Sequence, residues 1–187
     1  MTPSYTLMSH KYKASNPDGI YFVTLTVVEW ADVFTRQDYS EILCDSLRYC
    51  QQKKELTLYA WCIMTNHVHL ICSAPKLPNV MRDLKKYTSR FLVDAIKNNP
   101  KESRKNWLLW MFRSAAEKSA SHGEHQFWQL GGHYVELSTN ELLDQRLEYL
   151  HQNPVKAGFV EEPEQWIYSS ARDYAGNKGK LDVVLIV

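Results

Sequence analysis

The sequence predicts an α+β fold in which helices cover one face of an antiparallel sheet. Three observations support this prediction. Residues Ile20 to Val28 are almost all β-branched or aromatic, which is typical of a strand. Two apolar runs, Leu56 to Met64 and His67 to Ser73, are separated by only two polar residues, which indicates a β-hairpin. Elsewhere, apolar residues recur at helical spacing.

The helices follow from that spacing. Residues Gln37 to Lys54 predict a first helix, and Val80 to Ile96 predict a second. Another helix is expected to open at the capping-box pattern Ser138 to Glu141. It is expected to end at Pro154, because the residue before a proline is disfavoured in the helical conformation. Before this helix, Phe127 to Leu137 should form a strand pair or a bent strand.

The element order is therefore strand, helix, strand, strand, helix, strand and helix. This order matches a ferredoxin-like, split βαβ antiparallel sheet with an additional C-terminal helix. We expect one domain over residues 1–187, with a core at about 20–160, an insertion at about 98–125 and a C-terminal extension at about 161–187. The sheet face without helices is the expected place for a site.

Composition excludes several classes of protein. Of the 187 residues, 44 % are hydrophobic and 23 % are charged, as in ordinary globular domains. No two of the four cysteines form a CxxC pair, which favours reduced thiols in a cytoplasmic protein. The first thirteen residues lack the apolar run of a signal peptide, and no stretch approaches the ~20 apolar residues of a membrane span. We therefore expect no membrane partner.

The charge is unevenly distributed. The net charge is +1, but residues Lys76 to Lys118 hold eleven Lys and Arg against four Asp and Glu. A solvated helix face is the commoner meaning of such a run, and a phosphate-binding face is the alternative. On the second interpretation, Lys85, Lys86 and Arg90 are candidate phosphate contacts. Gln129 is a further candidate, either as a DNA contact or as a support of the site.

The strongest local signal is His67-Val68-His69 in the predicted hairpin. Residues i and i+2 of a strand point to the same face, about 6.6–6.8 Å apart. Two imidazoles placed in this way can bind one metal ion. The alternative is a pair of ordinary polar side chains, but this strand is otherwise apolar, and buried imidazoles need partners.

A second signal is Tyr149 with Asn153 on the last predicted helix. At i and i+4 they share one face, beside the apolar stripe of the helix. Spacing alone would make the tyrosine a half-buried packing residue and the asparagine a helix terminator. Four other histidines are expected to be structural or on the surface, namely His122, His125, His133 and His151.

These motifs resemble a known family. The stretch from Tyr59 to Leu70, YAWCIMTNHVHL, resembles the His-hydrophobic-His (HUH) segment of single-tyrosine transposases. The stretch from Tyr149 to Val160, YLHQNPVKAGFV, resembles their nucleophile helix, and its Asn-Pro is similar to the REP-associated tyrosine transposase branch. The segments Phe127 to Gln129 and Trp166 to Ser170 also resemble that branch. The resemblance covers about Ile20 to Tyr174.

The resemblance implies a function and a role for each matched residue. His67, His69 and Asn153 would hold a divalent metal, Mg²⁺ or Mn²⁺, and Tyr149 would be the nucleophile. The implied reaction nicks and rejoins single-stranded DNA through a 5′-phosphotyrosine intermediate. The implied partner is single-stranded DNA that contains a hairpin. The choice between a monomer and a homodimer stays open.

Two departures and two alternatives accompany this interpretation. Thr65 stands where the family usually has proline, and the segment at about 98–125 is longer than usual. One alternative is a non-catalytic module that binds single-stranded nucleic acid on the same scaffold. The other is a small metal phosphoesterase that uses water as nucleophile, which leaves Tyr149 unexplained.

Overall fold

The computed structural model describes residues 14–119 and 123–186. The predictions for the first thirteen residues and for His122 concern positions outside these ranges. The sheet has four antiparallel strands in the order β2-β3-β1-β4. Their bounds are Tyr21–Thr26 for β1, Thr57–Ile63 for β2, His67–Ser73 for β3 and His133–Glu136 for β4. This confirms the predicted ferredoxin-like, split βαβ arrangement.

Five α-helices accompany the sheet in the described residues. None of them is long and apolar enough to cross a membrane. They are α1 Gln37–Lys53, α2 Leu77–Asn98, α3 Lys105–Lys118, α4 Asn140–Lys156 and α5 Ala171–Tyr174, with short 3-10 turns at Val28–Trp30 and Pro163–Gln165.

The larger core lies between one face of the sheet and helices α1, α2 and α3. Val23 of β1 and Leu70 of β3 point into this core and are fully buried. The segment at about 98–125, predicted to be an insertion, contains α3. Leu108 and Phe112 of this helix are also fully buried. Helix α3 therefore packs into the domain core rather than projecting from it.

The opposite face of the sheet is covered in part by α4, and Trp166, Tyr174 and Ile186 of the C-terminal segment pack against the same cluster. Phe22 and Ile71 lie side by side on this face and pack with Leu143 and Leu150 of α4. This packing explains the apolar stripe of α4. The other end of the same face, where β3 begins at His67, belongs to the candidate site described below.

Both predicted ends of α4 were wrong by one to two residues. Thr139, not Ser138, caps the helix, and its hydroxyl accepts a hydrogen bond from the backbone nitrogen of Leu142 at 3.2 Å. The helix passes through Pro154 and ends at Lys156. A proline in the last turn removes only one helical hydrogen bond, and the chain turns away at Gly158, whose φ is +74°.

Candidate active site

The two histidines of β3 lie on the sheet face that α4 partly covers. His67 and His69 alternate with buried apolar residues along the strand, so both side chains point to the same side. Their ring centroids are 4.7 Å apart, and the ring planes meet at 70°. On the neighbouring strand β1, His69 pairs with Thr24 and His67 pairs with Thr26. The fold thus brings the two imidazoles together.

A chain of hydrogen bonds orients His67. The Asp32 carboxylate accepts from the Asn66 side-chain amide at 3.1 Å and from the Thr65 hydroxyl at 2.6 Å. The amide oxygen of Asn66 then lies 2.7 Å from Nδ1 of His67. Because an amide oxygen only accepts hydrogen bonds, Nδ1 must carry the proton, which leaves the lone pair on Nε2. Thr65, the departure from the family pattern, therefore helps to hold the hairpin that orients this imidazole.

His69 is the more buried of the two. Its Nδ1 lies 3.0 Å from the Thr24 hydroxyl. Its Nε2 is buried and has no hydrogen-bond partner among residues 14–119 and 123–186. Burial, with smaller contributions from His67 and Arg146, lowers the pKa of His69 to about 3. Burial also lowers the pKa of His67. Both imidazoles are therefore neutral near pH 7, the form that binds metal ions.

These histidines fit a divalent cation. The orphaned Nε2 of His69 is a buried atom that needs a partner, and His67 offers a second nitrogen beside it. Within the described ranges, no three His, Cys, Asp or Glu side chains form a metal-binding group. An ion here would take its remaining ligands as oxygens, from a carboxamide or from a phosphate. Hard cations such as Mg²⁺ and Mn²⁺ prefer such oxygens.

Tyr149 lies on α4 and faces the same site. Its ring centroid is 5.4 Å from that of His69 and 6.0 Å from that of Phe22. The side chain is 38 % exposed, and the ammonium nitrogen of Lys156 lies 5.9 Å from the ring centroid. Tyr149 thus lies beside the imidazoles, and its side chain is accessible to a ligand from solvent.

Asn153 lies one turn after Tyr149 on α4. Its side-chain nitrogen donates to the backbone carbonyl of Tyr149 at 2.9 Å. A carbonyl oxygen can only accept, so the nitrogen of the carboxamide faces the helix and Oδ1 remains the available acceptor. The hydrogen bond ties the carboxamide to the backbone of α4, and Asn153 is not among the described residues that line the pocket beside Tyr149.

A pocket of about 560 Å³ opens beside Tyr149 and His69. Strand β1 contributes to its floor, and α4 and the loop before β4 contribute to its walls. Its lining includes the cations Lys85 and Arg146, and no acidic residue of the described ranges lines it. The pocket is therefore suited to an anion.

The four candidate DNA contacts divide into two pairs. Lys85 and Gln129 line the pocket, whereas Lys86 and Arg90 are exposed on α2 and are not among its lining residues. The Lys85 ammonium donates to the backbone oxygens of Gln129 and Gly131, both at 2.7 Å. Burial lowers the pKa of Lys85. Lys85 therefore holds the loop before β4 in place.

Two residues of this pocket were not singled out from the sequence. Arg146 precedes Tyr149 by three residues, and this helical spacing was an available signal. Trp30 is 58 % exposed, and its ring centroid lies 5.8 Å from that of His67. The φ of Trp30 is +54°, in the left-handed region that non-glycine residues rarely adopt. No sequence pattern indicates that backbone conformation.

Comparisons with known proteins give consistent matches. The family model described as "Transposase IS200 like" matches residues 18–115, which include β3 but end before α4. A Haemophilus influenzae protein named as a REP-associated tyrosine transposase is 25 % identical over 168 residues, 87 % of this chain and 85 % of that protein. A solved REP-associated tyrosine transposase bound to a REP hairpin aligns with a TM-score of 0.63 and 16 % identity, over 96 % of this chain and 95 % of that one. This last match supports the fold.

Proposed function

Because the chain belongs to the IS200-like transposase family, we propose that it cleaves and rejoins single-stranded DNA through a covalent bond to Tyr149. The resemblance found in the sequence is confirmed at the level of the family, and the named relatives are REP-associated tyrosine transposases. One observation supports the chemistry above all others. The Tyr149 ring lies 5.4 Å from the ring of His69, at the wall of a pocket without acidic residues among those described.

The proposed reaction is a transesterification. The phenol oxygen of Tyr149 attacks the phosphorus of the scissile phosphodiester and loses its proton. The bond between phosphorus and the 3′ oxygen breaks, and that oxygen leaves as a hydroxyl after it gains a proton. The downstream strand stays attached as a 5′-phosphotyrosine. Rejoining reverses these steps with a 3′-hydroxyl as nucleophile and needs no ATP, because one phosphodiester replaces another.

The residues around Tyr149 have separate proposed roles in the reaction. His67 and His69 would hold a divalent ion, and Asn153 would offer Oδ1 as a third ligand. When bound, the ion would stabilise negative charge on the phosphate and on the leaving oxygen. The hydrogen bond from Asn153 to the Tyr149 carbonyl keeps ligand and nucleophile on one rigid turn of α4.

The proposed substrate is single-stranded DNA that contains a hairpin. The solved relative bound to a REP hairpin supports this substrate class. His67, His69 and Tyr149 come together within a single chain. This supports a site that acts without a second protomer, whether the protein is a monomer or a homodimer.

Covalent trapping tests the proposal. A pool of 3′-labelled single-stranded oligonucleotides, each with one hairpin and randomised flanks, is incubated with Mn²⁺ and the protein. We expect a labelled band with the mobility of a protein–DNA adduct under denaturing conditions, because the 5′-phosphotyrosine retains the 3′ fragment. Tyr149→Phe should abolish this band, since phenylalanine has no nucleophilic oxygen.

The matched control is Tyr49→Phe, since Tyr49 is an exposed tyrosine on α1. This variant should form the adduct at the wild-type rate. An adduct that persists in Tyr149→Phe would contradict the assignment of the nucleophile. Cleavage by the wild type without an adduct would favour the phosphoesterase alternative. Binding without cleavage would favour the non-catalytic module.

A further inference from the structure

Arg146 occupies the same wall of the pocket as Tyr149. Both residues belong to α4, and their i and i+3 spacing places them on neighbouring turns of one face. Both line the pocket together with His69. The guanidinium of Arg146 is therefore a cation beside the imidazole pair and the phenol.

The Phe22 ring packs against Arg146, His69 and Tyr149. The guanidinium carbon of Arg146 lies 5.3 Å from the centroid of the Phe22 ring. The same ring lies 5.0 Å from the ring of His69 and 6.0 Å from that of Tyr149. One buried aromatic residue thus contacts the guanidinium, an imidazole and the phenol, which fixes their relative positions.

The charge of Arg146 is not balanced by the protein. Its Nε is buried and has no hydrogen-bond partner in residues 14–119 and 123–186. Within these ranges its guanidinium also forms no salt bridge, in contrast to Arg36 and Arg104. A partly buried guanidinium without a counterion is unfavourable. Such a group is best explained by an anion that arrives with the substrate.

A structural role for Arg146 within α4 does not explain this position. The residues one turn away in either direction are Leu142, Leu143, Tyr149 and Leu150. None of these is acidic, so no helical ion pair accounts for the arginine. The pocket itself offers no acidic partner among the described residues.

We propose that Arg146 binds a non-bridging oxygen of the scissile phosphate and holds the phosphorus in place for attack by Tyr149. This inference rests on the proposed function, because it names a further catalytic residue of that reaction. A guanidinium suits this task, since its planar set of donors matches the oxygens of a phosphate. The contact strengthens as negative charge develops on those oxygens during the attack.

The first test removes the charge of Arg146 and, separately, the charge of the scissile phosphate. An oligonucleotide cleaved by the wild type is prepared with either a phosphate or a neutral methylphosphonate at the scissile position, as both stereoisomers. On the phosphate, Arg146→Gln should slow adduct formation by about 10²-fold, as the loss of a charge-stabilising donor does. On the methylphosphonate the same substitution should slow the reaction by less than about threefold, because the charge that Arg146 contacts is absent.

The matched control is Arg82→Gln. Arg82 is an exposed arginine of α2 that pairs with Asp83 outside the pocket. Arg82→Gln removes the same charge and should change the rate of adduct formation on neither substrate. Equal slowing of both substrates by Arg146→Gln would show a structural role and overturn the inference, as would the absence of any slowing. In both cases adduct formation by the wild type would leave the proposed function standing.

A second readout does not depend on the chemistry. The affinity for a single-stranded hairpin oligonucleotide is measured by anisotropy in EDTA at several salt concentrations. Each phosphate contact in a single strand contributes about 0.7 to the slope of log K against log salt. Arg146→Gln should reduce the slope by about this amount, and Arg82→Gln should not. An unchanged slope in Arg146→Gln would contradict the phosphate contact, whether or not adducts form.

Discussion

Two regions of the molecule differ in whether their buried charged and polar groups have partners. The Glu102 side chain is fully buried and pairs with Arg36 at 2.7 Å and with Arg104 at 3.0 Å. Burial raises the pKa of Glu102, but the hydrogen bonds from the two arginines outweigh this effect and hold it at about 2. In the pocket beside α4, Arg146 has no such carboxylate, and Nε2 of His69 has no hydrogen-bond partner, among the described residues.

The two regions are connected through one loop. Arg104 donates to the backbone oxygen of Asp32 at 2.7 Å. The side chain of Asp32 in turn holds Asn66, whose amide oxygen orients His67. The fully paired region therefore supports the unpaired one. Satisfied polar groups stabilise the fold, whereas the unsatisfied groups are the ones available to a ligand.

The largest expected effect comes from breaking the paired region. Glu102→Gln should lower the free energy of unfolding by about 3 kcal/mol, because it leaves two partly buried arginines without their carboxylate. Urea denaturation measures this loss. The control is Glu124→Gln, whose carboxylate is 70 % exposed and pairs with Arg113. It should change stability by less than about 0.5 kcal/mol. Equal losses of unfolding free energy in Glu102→Gln and Glu124→Gln would show that the Glu102 ion pairs stabilise the fold no more than an exposed pair does.

The same carboxylate predicts how stability depends on pH. The pKa of Glu102 is about 2 in the folded protein, below its ordinary value of 4.5. As the pH falls below 4.5, the unfolded chain binds this proton first, so the contribution of Glu102 is complete above 4.5 and is lost towards 2. Free energies of unfolding measured over this window should fall less steeply for Glu102→Gln than for the wild type. Equal pH dependence of the unfolding free energy in the wild type and Glu102→Gln would refute this prediction.

A smaller effect should follow from loosening His69. Thr24→Val removes the hydroxyl 3.0 Å from Nδ1 of His69. Loss of such a supporting hydrogen bond weakens metal binding by about 10–100-fold, which a Mn²⁺ titration followed by electron paramagnetic resonance measures. Thr26→Val is the control, because Thr26 is on the same strand and face, but within residues 14–119 and 123–186 its hydroxyl forms no hydrogen bond with either imidazole. Similar affinities in both variants would show that the hydroxyl of Thr24 does not orient the ligand.

The smallest effect on stability is expected at Arg146. Arg146→Met keeps the apolar contact with Phe22 and removes the unpaired charge, so the free energy of unfolding should stay within about 1 kcal/mol of the wild type or rise. DNA cleavage should nevertheless be impaired. Glu102→Gln, by contrast, should lower stability, although Glu102 does not line the pocket. A loss of about 3 kcal/mol in Arg146→Met would place Arg146 among the structural charges.

Local patterns predicted much of this fold. The structure gives β3 the predicted bounds, and α1 differs from its prediction by one residue. Strand alternation also predicted correctly that His67 and His69 share a face, because successive side chains of a strand must point to opposite sides. The start of α4 was predicted one residue too early, because Ser138 and Thr139 are both good caps. The bond from Leu137 to Ile20 on the sheet edge sets where the chain leaves the strand.

By itself, the sequence determined the α+β class, the strand and helix order, the pair of imidazoles and the family, since these depend on periodicity and on contiguous motifs. Tertiary structure decided that α4 packs on this face of the sheet, and with it the 5.4 Å separation of the rings of Tyr149 and His69. It also decided that Lys85 anchors a loop and that Arg146 enters the pocket unpaired. Such contacts join residues far apart in the chain, so only the packing of whole elements can bring them together.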